Sequence, residues 1–131
     1  MRRVSLLPLF LLSAFTPLVL GGPLITEFMA DNDTTLEDED GEFSDWIEVH
    51  NPDNAPIDLS DWCLTDNADN LGKWSFPTIT LQPGGFVVVF ASGKDRSAAG
   101  AELHTNFQLS SDGEYLALVE PDETSVAHQY A

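Results

Sequence analysis

The chain is a succession of short strand-like segments separated by turn signals, and no segment shows a convincing helical period. Val, Ile, Phe and Trp favour the pleated surface of a strand, and here they recur in short runs that end at Pro, Gly, Asn or Asp. Strands spaced by about eight to twelve residues, with such turns between them, predict a sandwich of antiparallel sheets. The expected fold class is therefore all-β.

The stretch from Ser44 to Pro52 is the clearest of these strands. Trp46, Ile47 and Val49 suit a half-buried sheet, and Pro52, which lacks a backbone donor, ends the strand. A second segment, 61–65, follows after a connection too short for a crossover helix. We therefore expect the two strands to pair antiparallel.

Further along the chain, residues 86–91 are apolar on both faces, which predicts a central strand buried on both sides. The preceding Gln-Pro-Gly-Gly at 82–85 has the signature of a type II turn. Trp74 and Phe76 share a face at period two, and the proline that follows predicts an edge strand.

The N-terminus has the layout of a secretory signal peptide. Arg2 and Arg3 precede an apolar run from Val4 to Leu20, and glycines follow. We expect residues 1–21 to be the signal and residues 22–131 to be one domain, with no membrane span after cleavage. A transmembrane anchor is the alternative, which prolines within the run disfavour. The expected location is secreted, extracellular or at the cell surface.

The composition limits the classes of partner. The formal charge is −17, and loss of Arg2 and Arg3 leaves three of the five basic residues against 22 acidic ones. Such a field opposes binding of nucleic acid, so we expect a protein or cell-surface partner. A general role of the charge in solubility is the alternative. Cys63 is the only cysteine, so no internal disulfide forms, and it is expected to be a buried apolar residue.

The acidic loop between Asp31 and Asp45 is the strongest candidate site. Crowded carboxylates repel one another unless a cation lies among them, and oxygen ligands suit calcium. An EF-hand is excluded because Leu36 stands where that motif needs Gly. A simply solvated loop is the alternative. With Asp66 or Asp69 as further candidates, the predicted calcium ligands are Asp31, Asp33, Asp38, Asp40 and Glu42.

No residue pattern indicates catalysis. The histidines are His50, His104 and His128, without metal-ligand spacing, and no nucleophile elbow is present. Tryptophans 46, 62 and 74 are expected to pack in the core, and a glycan-binding strip is the alternative. The prediction is that the domain is not an enzyme and has no certain cofactor, with calcium as the one candidate.

Several blocks of the sequence together resemble the lamin-tail domain family, in the same order along the chain. The resemblance covers essentially Leu24 to Val126, and the acidic loop is similar to that of exported bacterial members. The blocks are Glu27–Ala30, Asp45–Asn51, Leu59–Asp66, Trp74–Pro77, Leu81–Val89, Phe107–Leu109, Asp112–Glu114 and Leu116–Val119.

The resemblance implies an immunoglobulin-like β-sandwich that acts as a non-catalytic interaction, adhesion or spacer module. Because lamin-tail domains of exported proteins accompany other domains, it also implies an alternative role as the accessory domain of a larger exported hydrolase or spore-coat-kinase-like protein. A carbohydrate-binding module is a further alternative. We expect the chain to be the N-terminal part of a longer protein.

Overall fold

The computed structural model describes residues 21–113 and 115–130, and in that part of the chain every regular element is a β-strand. The predicted signal peptide, residues 1–21, lies outside the described residues except for Gly21. The strands are β1 (Leu24–Met29), β2 (Asp45–His50), β3 (Ile57–Asp58), β4 (Cys63–Thr65), β5 (Trp74–Ser75), β6 (Thr80–Leu81), β7 (Phe86–Ala91), β8 (Leu103–His104), β9 (Leu116–Val119) and β10 (Val126–Tyr130).

Two four-stranded sheets form the sandwich. The first sheet has the order β1-β2-β7-β8 and the second has the order β10-β9-β4-β5, while β3 and β6 form a separate ribbon. Neighbouring strands are antiparallel except β7 and β8, which run parallel. The predicted all-β immunoglobulin-like sandwich is therefore confirmed, with one parallel pair that the sequence did not indicate.

The core fills the space between the two sheets. Ile47, Val49 and Val89 of the first sheet and Leu64 and Leu118 of the second are fully buried in a single cluster. Alternation along β2, β7 and β9 places every second side chain in this cluster or against it. Burial of aliphatic side chains stabilises the domain by about 1.5–3 kcal/mol each, so the fold needs no disulfide.

The predicted pairing of the first two clear strands is wrong. Strand β2 pairs with β1 and with β7, so both of its edges are occupied. The segment from Asp61 to Thr65 instead contributes β4 to the second sheet, where it lies between β5 and β9. The short connection crosses from one sheet to the other, which a sandwich allows and a sequence does not distinguish from a hairpin.

Strand β7 is central, as predicted, but only its second half is buried on both faces. Phe86 is 55% exposed, and Val87 and Val88 are half-buried, whereas residues 89–91 are buried. Trp74 and Ser75 form an edge strand, as predicted. The turn before β7 is also confirmed, because the N–H of Gly85 donates to the C=O of Gln82 at 2.8 Å and Gly84 has a φ of +74°.

Asn51 joins the end of β2 to that turn and to the small ribbon. The residue is fully buried, and its Nδ2 donates to the carbonyl groups of Ala55, Leu81 and Gln82 at 2.9, 3.0 and 3.2 Å. Its Oδ1 accepts from the N–H of Asp53. Asn51 thus acts as a structural hub, a role that the sequence indicated only as a strand end.

Candidate functional site

Asp38 organises the acidic loop around its own carboxylate. The side chain is fully buried. Its Oδ1 accepts from the N–H groups of Asp40 and Glu42 at 3.0 and 3.1 Å, and its Oδ2 accepts from the Ser44 hydroxyl at 2.8 Å. The turn closes with Gly41 at a φ of +78°, a conformation that glycine adopts without strain.

Lys94 lies at the centre of three of the predicted calcium ligands. Its Nζ is 2.7 Å from Asp38 Oδ2, 2.8 Å from Asp40 Oδ2 and 2.6 Å from Glu42 Oε1. The ammonium group therefore stands among the carboxylates where the sequence argument placed a metal cation. Crowding of like charge is relieved by a residue from the segment that follows β7, more than fifty positions away along the chain.

Arg96 provides the second cation of the site. Its Nη1 donates to Glu39 Oε2 at 2.8 Å, and its Nη2 donates to Asp40 Oδ2 at 2.9 Å. Lys94 and Arg96 thus attach the acidic loop to the sandwich. We call this group the ionic cluster; its members are Asp38, Glu39, Asp40, Glu42, Lys94 and Arg96.

The ionic contacts displace the protonation equilibria of the two central groups. Desolvation acts to raise the pKa of Asp38, but hydrogen bonds from Lys94, Ser44 and backbone N–H groups outweigh it, so this pKa lies well below its ordinary value. Desolvation likewise acts to lower the pKa of Lys94, and its three carboxylate partners raise it instead. Both groups therefore stay charged across the physiological pH range.

His104 lies beneath the ionic cluster and was not predicted from the sequence as a site residue. It is fully buried and stacks on Phe90 with ring centroids 5.3 Å apart. Its Nδ1 is 2.7 Å from the Ser92 hydroxyl, and its Nε2 is 2.9 Å from Glu102 Oε1. Its weakly alternating segment gave no signal of this role, because the contacts come from the parallel approach of β8 to β7.

The five predicted ligands do not form one group. Asp38, Asp40 and Glu42 bring carboxylate oxygens within 4.8 Å of one another, and a second such group consists of Glu39, Glu102 and His104. Asp31 and Asp33 belong to neither group and are exposed. Calcium binding at the first group stays a prediction, and it requires that the ion displace the Lys94 ammonium group.

The two further candidates lie elsewhere. Asp66 forms an ion pair of 2.7 Å with Lys73 in the loop between β4 and β5. Asp69 is exposed in that same loop, where its N–H donates to Asn67 Oδ1. Neither carboxylate belongs to either group of potential ligands.

The start of the acidic loop is fixed by Asn32. The residue is buried, and its Nδ2 donates to the carbonyl groups of Leu36 and Ser44, both at 2.9 Å. Its Oδ1 accepts from the N–H and the hydroxyl of Thr35. Because Asn32 lies near the start of the loop and Ser44 near its end, the hydrogen bond between them connects the two ends.

The tryptophans pack inside the protein, as expected. Trp74 is 3% exposed within the main core and Trp46 is 9% exposed, while Trp62 is half-buried and packs against the core. Cys63 is fully buried, as expected, and burial raises the pKa of its thiol. A thiol of this kind is a poor nucleophile at neutral pH.

Comparison with known proteins identifies the fold family. The family model for the Lamin Tail Domain matches residues 20–131. The chain belongs to the lamin tail domain family. No curated protein matches it. The domain is thus an immunoglobulin-like module of a type that is typically non-catalytic. In the described residues, no helix has the length and hydrophobicity that a membrane crossing requires.

Proposed function

We propose that this lamin tail domain is an exported, non-catalytic module for interaction, adhesion or spacing. Its partner is a protein or a cell surface. Family membership supports the non-catalytic role, and the charged N-terminal segment followed by an apolar run supports export.

The observation that carries the proposal is that all three histidines, the side chains best suited to acid–base catalysis, already contact other groups of the protein. His50 stacks on Phe86 and contacts the carbonyl of Gly85 through Nδ1. His128 Nδ1 accepts a backbone N–H, and both ring nitrogens of His104 have partners. General acid–base catalysis needs a group that reaches substrate, so this arrangement favours a structural role for all three histidines.

The alternative role as an accessory domain of an exported hydrolase uses the same module, with the reaction carried out elsewhere. The alternative of a glycan-binding strip receives less support. Its aromatic faces would have to be exposed to stack on sugars, whereas Trp46 and Trp74 are buried. We therefore favour protein or surface binding over glycan binding.

Expression of the full chain in a secreting bacterial host tests this proposal. We expect the protein in the medium to begin after Gly21 by intact mass, and we expect no turnover of phosphomonoester, phosphodiester or glycosidic substrates. Retention of the first 21 residues would contradict export. Turnover that is abolished by His104→Ala, in a variant with an unchanged circular dichroism spectrum, would contradict the non-catalytic role.

A further inference from the structure

Strand β1 forms one edge of the first sheet. Among the described residues, side chains bond to the open side of this strand only at the backbone of Ile25. The N–H of Ile25 donates to His128 Nδ1 at 3.0 Å, and the C=O of Ile25 accepts from the Tyr130 hydroxyl at 2.9 Å. Two side chains of β10 therefore occupy the backbone groups that a further strand would use. An edge strand whose backbone groups are occupied cannot pair with a further strand at that point.

The backbone of Phe28 lies on the same open edge, and no side chain of residues 21–113 or 115–130 protects it in this way. Because Ile25 directs its polar groups away from β2, it forms a non-hydrogen-bonded pair with Val49. Two residues further along β2, Ile47 faces Phe28 in the same type of pair. The N–H and C=O of Phe28 therefore point outward from the sheet, where an added strand would find them.

An apolar cavity of about 260 Å³ adjoins this stretch of the edge. Phe28 is 40% exposed there and meets the Tyr130 ring edge-on, with centroids 5.0 Å apart. Pockets for drug-sized molecules measure about 300–1,000 Å³, so this one suits a single apolar side chain. Its lining includes Phe28, Ala30, Leu109, Gly113, Leu116 and Tyr130.

Two acidic residues directly adjoin lining residues of the cavity along the chain, and we call them its rim. Asp31 directly follows Ala30, and Asp112 directly precedes Gly113; both are exposed. Within residues 21–113 and 115–130, neither forms an ion pair. All Lys and Arg residues in that part of the chain are already paired with carboxylates, so none is left to neutralise the rim.

We infer that the edge of β1 around Phe28 binds an extended cationic peptide segment of a protein partner by strand addition. The peptide backbone pairs with Phe28, an apolar side chain of the peptide enters the cavity, and a flanking Lys or Arg meets Asp31 and Asp112. Alternate residues of an added strand point to one face, which allows this combination. This inference rests on the proposed interaction role and names the chemistry of the partner.

Binding of defined hexapeptides to the secreted protein tests the inference. The probe is a capped peptide of alternating Leu and Lys, and its control has Glu in place of Lys. We expect only the cationic peptide to bind. Amide exchange measured by NMR should become slower at Phe28 on binding and stay unchanged at Ile25, whose N–H already has a partner.

Three variants separate the parts of the site. Phe28→Ser should weaken binding at least about tenfold by removing the cavity wall. Asp31→Asn combined with Asp112→Asn should weaken it about fivefold and reduce its salt dependence. Asp69→Asn is the matched control, because this exposed carboxylate lies in the loop between β4 and β5, and binding should be unchanged.

Two results would overturn the inference. The first is absence of binding, or binding that leaves the exchange of Phe28 unchanged and perturbs the ionic cluster instead. The second is protection of Phe28 that rises with protein concentration without peptide, which would show that the edge pairs with a second copy of the chain. Neither result bears on the proposed non-catalytic role, which the export and turnover assays test separately.

Discussion

Replacing Lys94 with Met removes the cation on which the acidic loop closes, while keeping a side chain of similar length. The buried carboxylate of Asp38 then loses its contact of 2.7 Å with the ammonium group. Removal of one partner from a buried ion pair costs about 3–5 kcal/mol. The cost here should be smaller for two reasons. The Lys94 side chain is 20% exposed to solvent, and the Asp38 carboxylate still accepts hydrogen bonds from three other donors in the variant.

We therefore expect Lys94→Met to lower the free energy of unfolding by about 2–3 kcal/mol, or the melting temperature by roughly 10 °C or more. Urea titration followed by tryptophan fluorescence measures this, and the denaturant slope should be unchanged. Glu42→Gln is the matched control. It removes a contact with the same ammonium group, but the Glu42 side chain is 64% exposed, so its cost should stay within about 1 kcal/mol.

The effect of Lys94→Met should depend on pH in one direction. The pKa of Asp38 in the folded protein lies below its ordinary value of 3.8. The stabilisation is therefore fully present above pH 3.8 and is lost as the pH falls below it, since protons then bind the unfolded chain preferentially. Wild type and variant should begin to converge below about pH 4, and they should become equally stable only when Asp38 is protonated in both folded proteins. A difference in stability under about 0.5 kcal/mol at pH 7, or one that persists unchanged into strong acid, would refute this account of the ionic cluster.

Three further predictions concern single features. Asn51→Ala should cost about 2–3 kcal/mol in urea unfolding, because buried carbonyl groups lose their donor, whereas Asn54→Ala at an exposed position should stay within about 0.5 kcal/mol. Gly84→Ala should cost about 1 kcal/mol by the same assay, since its φ is +74°, and no loss would contradict the turn assignment. The melting temperature of wild type should change little between calcium and chelator, because Lys94 already contacts the three carboxylates that would bind the ion; a shift near 10 °C, lost on Asp38→Asn, would instead support the calcium site.

The strands were predictable where the residues of the segment itself determine its conformation. Trp46, Ile47 and Val49 alternate as a half-buried strand must, and Pro52 and the turn around Gly84 fix the chain direction through their own backbone preferences. These preferences act within a few residues. They account for the all-β class, the edge strand at Trp74 and the boundaries of β2 and β7.

Strand partners were less predictable, because pairing depends on which edges other strands already occupy. Residues 61–65 follow β2 closely in sequence, yet β1 and β7 fill both edges of β2. The parallel approach of β8 likewise depends on the whole sandwich. Burial of Phe86 was overestimated for a related reason. An apolar run shows which residues can be buried, but it does not show how far along the strand other parts of the chain pack against them.

By itself, the sequence determined an all-β module of lamin-tail type, a large excess of negative charge and a loop of crowded carboxylates. Only the tertiary structure placed Lys94 among three of them, Asp38, Asp40 and Glu42. Lys94 reaches Asp38 because β7 runs beside β2 and delivers the following segment beneath the loop. Electrostatic attraction acts over a few ångströms of space whatever the separation along the chain, and that proximity exists only after the sheets have formed.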